Sequence, residues 1–482
     1  MVKKYTRVVM LALAAIMVFS CVAMAATTIP EIYAKKPTQY LTEKNWAPWS
    51  KKIINQMFDA FGRNNVNYNP ENRPWAMFDC DNTISLTDVQ EQLFIYQLEN
   101  LRFAFKPEEL YKIATAGVGN VHADLGKDYN HTTIDKLAKD TVKAYTRLYN
   151  KGWVAADNSK VGQKAKWMAT DDWKEFATKT RLLYDAIGDS ESVSVSYPWI
   201  GFYFTGMTPA EAEQLAYESH VYYEALGKKD VKNWTKLSWE SPKIRSLSGQ
   251  FKVSFRQSTG VTPEMRELIK KLDANGIDVW ICSASPVTTI RGLQRAWNFE
   301  GLRGMKCMTY KMKNGKYIAE YDYDLHPQTQ GVGKSETFVK TVLPLYDNRG
   351  PILGAGDSQG DFNFMTEFKD TVVGLMINRV RKDDAGIVAA IASYQDDNNI
   401  DLYEAMKRGE IRFLNQGRDE NKGQFRPYPE SIMLGKTEPA LLHDKAKEWR
   451  KMLDAGTTPN QLLNQCTKLT GKLKTYVGTK VR

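Results

Sequence analysis

Cysteine and histidine are scarce in this chain, five of each among 482 residues. That excludes a disulfide-stapled scaffold at this length, and no CxxC pair or His/Cys cluster has zinc spacing. Long apolar runs are missing too: after the first 26 residues no stretch suffices to cross a bilayer, so no membrane span is expected. There is no internal repeat and no low-complexity tract. Concentrated charge of one sign is also lacking. The 66 Lys+Arg against 56 Asp+Glu give a formal +10, too dilute for a nucleic-acid-binding arm. No nucleic-acid partner is therefore expected.

What is present is core material, 43% hydrophobic and 11% aromatic, enough for a folded chain of this size. The first residues carry Lys3, Lys4 and Arg7, then an apolar run from Val8 to Phe19, then Ala23-Met24-Ala25. This reads as a secretory signal cleaved after Ala25. Its removal takes three positive charges and no acid, leaving +7. A periplasmic or secreted protein follows. The alternative is a lipoprotein anchored at Cys21, since Val18-Phe19-Ser20-Cys21 resembles a lipobox, although Phe19 is bulky for one.

Helix and strand signals alternate in the middle of the chain. Ser50 to Arg63 reads as an amphipathic helix, and Pro74 to Phe78 is a short apolar run of strand length. From Leu86 to about Leu247 the pattern is helical and rich in Tyr and Trp, with Thr208-Pro209 marking one helix start. Thr262-Pro263 starts another helix, which Asn275-Gly276 ends. Ile277 to Ile281, Pro351 to Leu353 and Thr371 to Ile377 read as strands. Such alternation argues for a parallel sheet with crossover helices. Residues 75–85 and 251–380 are then an α/β core. The N-terminal segment 26–74 precedes it, a helical cap over 86–250 interrupts it, and a mostly helical extension over 381–482 follows it.

Two acidic pairs stand at predicted strand ends. Asp79 and Asp81 lie two apart after the first strand, where ligands bind in open α/β sheets. Asp357 and Asp361 follow another strand within Gly354-Ala-Gly-Asp-Ser-Gln-Gly-Asp361, where glycine allows close backbone approach. Close carboxylates raise one another's pKa unless a cation joins them, and Mg²⁺ is the hard ion such oxygens suit. Between the pairs, Ser283 and Lys334 offer a hydroxyl and an ammonium of the kind a phosphoryl group attracts. Each piece alone has an ordinary explanation: a turn, a helix cap, a solvated lysine. Gly333-Lys334-Ser335 mimics a nucleotide-binding loop, but Gln328 stands where that loop needs glycine.

In order, Asp79-Cys-Asp-Asn-Thr83, Ser283 in Ile-Cys-Ser-Ala-Ser, Lys334 and Gly356-Asp357-Ser-Gln-Gly-Asp361 resemble the four motifs of the haloacid dehalogenase (HAD) superfamily. The resemblance runs from about Trp75 to Asn378 and is to its phosphoserine-phosphatase-like branch. It implies a Rossmann-like parallel sheet with a cap inserted between motifs one and two, and Mg²⁺-dependent hydrolysis of a small phosphomonoester. Asp79 would be the nucleophile, forming an aspartyl-phosphate, and Asp81 the general acid and base. Thr83 would fix the loop, while Ser283 and Lys334 would hold phosphoryl oxygens. Mg²⁺ would bind the Asp79 carboxylate, the Asp81 carbonyl and Asp357, with Asp361 orienting Lys334 or a metal-bound water.

Specificity then falls to the cap. Its aromatic run, Tyr197 to Phe204, suggests a cage for a quaternary ammonium group with Trp199 and Tyr203 in contact. The chain is similar in this to exported phosphorylcholine phosphatases. A phosphoamino acid is the other expected substrate, and Arg256 a candidate partner for its carboxylate or phosphate. The competing expectation for these rings is hydrophobic core. Rival functions are a phosphotransferase using the same aspartate and a non-catalytic binder of phosphorylated or choline-containing ligands.

Overall fold

The computed structural model describes residues 38–229, 236–257 and 259–469. The signal expected over residues 1–25, with Cys21, lies outside them. No described helix is long and apolar enough to cross a membrane.

The strands, in chain order, are β1 (Trp75–Phe78), β2 (Lys236–Glu240), β3 (Lys252–Arg256), β4 (Asp278–Pro286), β5 (Leu302–Met308), β6 (Tyr310–Lys313), β7 (Lys316–Tyr321), β8 (Leu353–Gly356), β9 (Val373–Ile377) and β10 (Arg412–Gln416), with short β11 (Arg418–Asp419) and β12 (Gln424–Phe425) after them. Six form one parallel sheet in the order β10-β9-β8-β1-β4-β5. It is the Rossmann-like α/β core expected. From β1 the chain builds outward to β4 and β5, then crosses to β8, β9 and β10. The switch point therefore lies at β1, where such sheets open a crevice.

Successive residues of β1 serve opposite faces. Ala76 and Phe78 pack with Ile53, Ile54, Leu268 and Leu293, whereas Trp75 and Met77 pack with Phe338, Val342, Ile387 and Ile391. Both faces are covered, as a parallel sheet requires. The covering helices start where side chains can cap them. Thr262 Oγ1 accepts from Met265 N at 3.1 Å, with Pro263 in the first turn. Gly276, at φ +77°, then turns the chain into β4.

Two boundaries shift from expectation. The core does not end near 380, because β10 pairs in parallel with β9 and extends the sheet into the C-terminal extension. Three of its five residues are polar, which hides it from a hydrophobic reading. Each is buried with its donor hydrogen-bonded: Arg412 donates to Ile400 O at 2.7 Å, Asn415 to Ala389 O at 2.9 Å and Gln416 to Arg426 O at 2.8 Å.

The cap has its own core around Leu93, Phe103, Tyr145, Phe176, Trp199 and Tyr203. It is not wholly helical: β2 and β3 pair antiparallel across residue 250. A second hairpin, β6–β7, joins it from between β5 and the helix Val332–Thr341. Tyr310, Tyr317 and Tyr321 of this hairpin are buried in the cap core, with Tyr310 edge-on to Phe202 at 5.8 Å.

Candidate active site

Asp79 leaves β1 with its N–H bonded to Ala355 O of β8 at 2.9 Å. The chain then turns through Asn82, whose left-handed φ of 61° asparagine tolerates better than most residues. That turn returns Thr83 to the strand end, where its Oγ1 donates to Asp79 Oδ2 at 2.9 Å. Lys334, near the start of the helix Val332–Thr341, bridges Asp79 Oδ1 at 2.5 Å and Asp361 Oδ1 at 2.7 Å. The other oxygen of Asp361 accepts from Asp357 N, Ser358 N and Ser358 Oγ at 3.0–3.1 Å. Gly356 is required beside it, since a Cβ there would lie 2.8 Å from the Asp361 carboxyl carbon.

Asp81 points to the other wall. Its Oδ1 accepts from Val89 N at 2.8 Å, and its Oδ2 from Ser283 Oγ at 2.8 Å and Ser285 Oγ at 2.9 Å. Here the expectation for Ser283 needs correcting. Ser283 lies within β4 rather than at its end, is fully buried, and braces Asp81 instead of facing the open space. Ser285, two residues on and so on the same side of the strand, is the hydroxyl at the cavity wall.

These groups surround a cavity of about 250 Å³. Burial, then Asp361, pushes Asp79 well above the carboxylate range, against the pull of Lys334. Burial raises Asp81 as well, opposed by the bonds from Ser283, Val89 N and Ser285. Asp357 is likewise raised by burial, with Arg379 opposing. Burial would lower Lys334, but Asp361 and Asp79 outweigh it and hold the ammonium well above its ordinary range.

The donor set fits a divalent cation. Asp79, Asp357 and Asp361 each offer an oxygen within 4.8 Å of the others. Among the described residues, the three carboxyl groups Asp79, Asp357 and Asp361 are in direct contact with two cations, Lys334 and Arg379. A bound cation would offset the negative charge left over. Asp361 Oδ2 is fixed by two main-chain amides, whereas the oxygens of Asp79 and Asp357 are held by side chains that can turn away, so Asp79 and Asp357 are the better ligands.

Arg379 was not foreseen. It donates to Asp357 Oδ2 at 2.6 Å and lines the cavity with Arg381. No motif spacing flags it, because it lies two residues beyond β9 on a neighbouring strand end. On the cap side the wall carries Asp88, Glu91, Tyr184, Tyr197 and Ile200. Burial, with Asp81 and Glu91 nearby, pushes Asp88 well up. Gln90 Nε2 and Gln330 Oε1 are buried at this wall without a protein hydrogen-bond partner.

The three expected substrate residues are elsewhere. Trp199 is fully buried in the cap core and donates Nε1–H to Ala114 O at 3.0 Å. Tyr203 is fully buried against Phe94 and Trp199. Arg256 lies exposed on β3 and does not line the cavity.

No family model and no curated protein matches the chain. Among solved structures, it is similar to a conserved protein of unknown function from Anaerococcus prevotii. Identity is 26% over 83% of this chain and 100% of that one, with a TM-score of 0.69. More distant are a HAD family hydrolase from Salmonella enterica serovar Typhi (10% identity, 63% of each chain, TM-score 0.27) and a cytosolic 5'-nucleotidase IIIB bound to cytidine (13%, 75% of this chain and 91% of that one, TM-score 0.30). Scores that low do not bear on activity.

Proposed function

We propose that the chain is an exported, Mg²⁺-dependent phosphatase of the HAD type acting on a small, amine-bearing phosphomonoester. One observation carries the reading: Asp79, Asp81, Lys334, Asp357 and Asp361 come from two strand ends and a helix, yet meet around one cavity at the switch point of the sheet.

The chemistry follows from the side chains. A carboxylate oxygen of Asp79 attacks phosphorus, the O–P bond to Asp79 forms, and the bond to the leaving oxygen breaks. Asp81, whose pKa burial raises, gives its proton to that oxygen. The two serine hydroxyls on its Oδ2 then stabilise the carboxylate left behind. Asp81 takes a proton from water, the water oxygen attacks phosphorus, and Asp79 is released. Lys334 and Ser285 supply donors to the phosphoryl oxygens. Asp79, Asp357 and the Asp81 carbonyl would hold Mg²⁺, which would draw charge from those oxygens.

The leaving-group side supports an amine. Asp88 and Glu91 line the wall with carboxyl groups that can accept from an ammonium, and aromatic faces attract cations. Arg181 lies 4.9 Å over the Tyr184 ring, and Tyr197 is the other tyrosine of this wall and the one to test. Phosphocholine fits the acids and Tyr197 alone. A phosphoamino acid would also engage Arg381, which makes it the second reading.

The test is a hydrolysis screen with Mg²⁺ over phosphocholine, phosphoethanolamine, phosphoserine and sugar phosphates. Amine-bearing esters should lead in kcat/KM. Equal rates on sugar phosphates would remove the substrate class, and no phosphate release from any ester would remove the phosphatase.

A further inference from the structure

The extension beyond β10 reaches back to the catalytic loop through one side chain. Arg418, in β11, is fully buried. Its Nη1 donates to Ser85 O at 2.9 Å and approaches Thr83 O at 3.5 Å. Its Nη2 donates to Leu86 O at 3.1 Å and to Glu420 Oε1 at 2.6 Å. Three main-chain carbonyls of a four-residue stretch thus converge on one guanidinium, whose planar fork can serve them together.

That stretch is where the chain leaves the nucleophile loop for the cap. Its opposite edge is tied to the returning linker: Leu86 N donates to Gly260 O at 2.9 Å, and Ser85 bridges Val261. The returning linker is held by the same hairpin, since Phe425 N of β12 donates to the buried Glu264 Oε2 at 3.0 Å. Outgoing and returning linkers, and the β11–β12 pair, form one knot next to Thr83. Thr83 in turn positions Asp79 through the 2.9 Å bond.

We infer that Arg418 is a positioning residue: it clamps the outgoing cap linker and so fixes Thr83 and the Asp79 loop for reaction. The inference rests on the phosphatase reading for its kinetic consequence and on geometry alone for the clamp. Lysine at 418 keeps the charge opposite Glu420 but presents a single ammonium where two nitrogens now reach the carbonyls.

The experiment uses the full chain with Arg418→Lys and, in parallel, Glu420→Gln. Hydrolysis of p-nitrophenyl phosphate with Mg²⁺ gives kcat and KM, and amide hydrogen exchange gives local protection. For Arg418→Lys, kcat should fall about 10- to 100-fold with KM within about twofold, because a displaced nucleophile costs rate rather than binding. Exchange should rise in the segment 80–89 and stay unchanged in the strands β8 and β9. Glu420→Gln should show the same pattern more weakly, and it decides the matter if Arg418→Lys does not fold. Wild-type kcat in a folded variant overturns the inference, as does an exchange increase spread over the whole core. A wild-type chain inert to every ester would remove the phosphatase, while faster exchange confined to 80–89 in the variants would still uphold the clamp.

Discussion

Replacing Lys334 by methionine tests the electrostatics of the site without any substrate. The ammonium lies 2.5 Å from Asp79 Oδ1 and 2.7 Å from Asp361 Oδ1, and all three groups are buried. At an effective dielectric near 20, one such contact amounts to about 6 kcal/mol. The loss cannot reach that figure, because Asp79 can take a proton instead. From an ordinary aspartate value near 4, protonation at pH 7 costs about 4 kcal/mol, and at pH 5 about 1.5 kcal/mol. Lys334→Met should therefore lose about 2–4 kcal/mol of unfolding free energy at pH 7 and about 1 kcal/mol at pH 5. The direction is fixed: Lys334 lowers the Asp79 pKa, so without it the folded chain holds the proton to higher pH than the wild type, and the loss relative to wild type grows as pH rises from about 4 to 7. Adding Asp79→Asn should restore at least about half of the loss at pH 7, since asparagine still accepts from Thr83 and carries no charge. Urea unfolding with a chelator present measures all three proteins. A cost below about 1 kcal/mol at pH 7, or the same cost at both pH values, would refute the buried ion-pair account.

Three further outcomes are expected. Asp79→Asn should reduce phosphate release about 10⁴-fold or more and Asp81→Asn about 10²- to 10⁴-fold, measured as kcat on folded protein. His220 is fully buried, and burial lowers it from 6.5 to about 4 despite its bond to Thr289 O. The unfolded chain then binds a proton that the folded one refuses. Wild-type stability should fall on acidification from about pH 6.5 to 4 by up to about 3 kcal/mol from this group, and His220→Gln should flatten that part of the curve in urea titrations. Trp199→Ala should cost about 3–5 kcal/mol of stability while leaving the ratio of kcat/KM values between phosphocholine and sugar phosphates unchanged; Tyr197→Ala should do the reverse.

The grouping of the acidic residues of the candidate site was legible because it is local in sequence. Asp79, Asp81 and Thr83 occupy one turn, and Asp357 and Asp361 another, so short spacing carried both side-chain type and placement. Thr208 and Glu211 likewise announce their helix, and their reciprocal bonds at 2.7–3.2 Å are seen. Ser283 was misassigned by one strand repeat: Ser-Ala-Ser puts two hydroxyls on one side, and only the depth of the strand separates brace from wall. Arg379 and Arg418 were invisible for a different reason. Each acts on a segment far away in sequence, Arg379 on Asp357 and Arg418 on the carbonyls of 83–86, through contacts that sheet order alone creates. The β10 strand escaped notice because burial there is achieved by hydrogen bonding rather than by apolar side chains.

The aromatic run shows why the cap could not be read the same way. Tyr197 and Trp199 sit two residues apart on the helix Val193–Trp199, about 200° around its axis. Tyr197 lines the cavity and Trp199 the cap core. Ile200, three residues after Tyr197, shares its side and lines the cavity, while Tyr203, four after Trp199, shares the core. Both stripes have helical spacing and comparable residues, so periodicity finds two faces and cannot rank them. What ranks them is the β6–β7 hairpin. It presses against the run from the core side of the chain, where Gly201 leaves room for the Tyr310 ring, and leaves the Tyr197–Ile200 face toward Asp88 and Glu91. The face that the run turns to the cavity is therefore set by packing against a segment more than a hundred residues downstream.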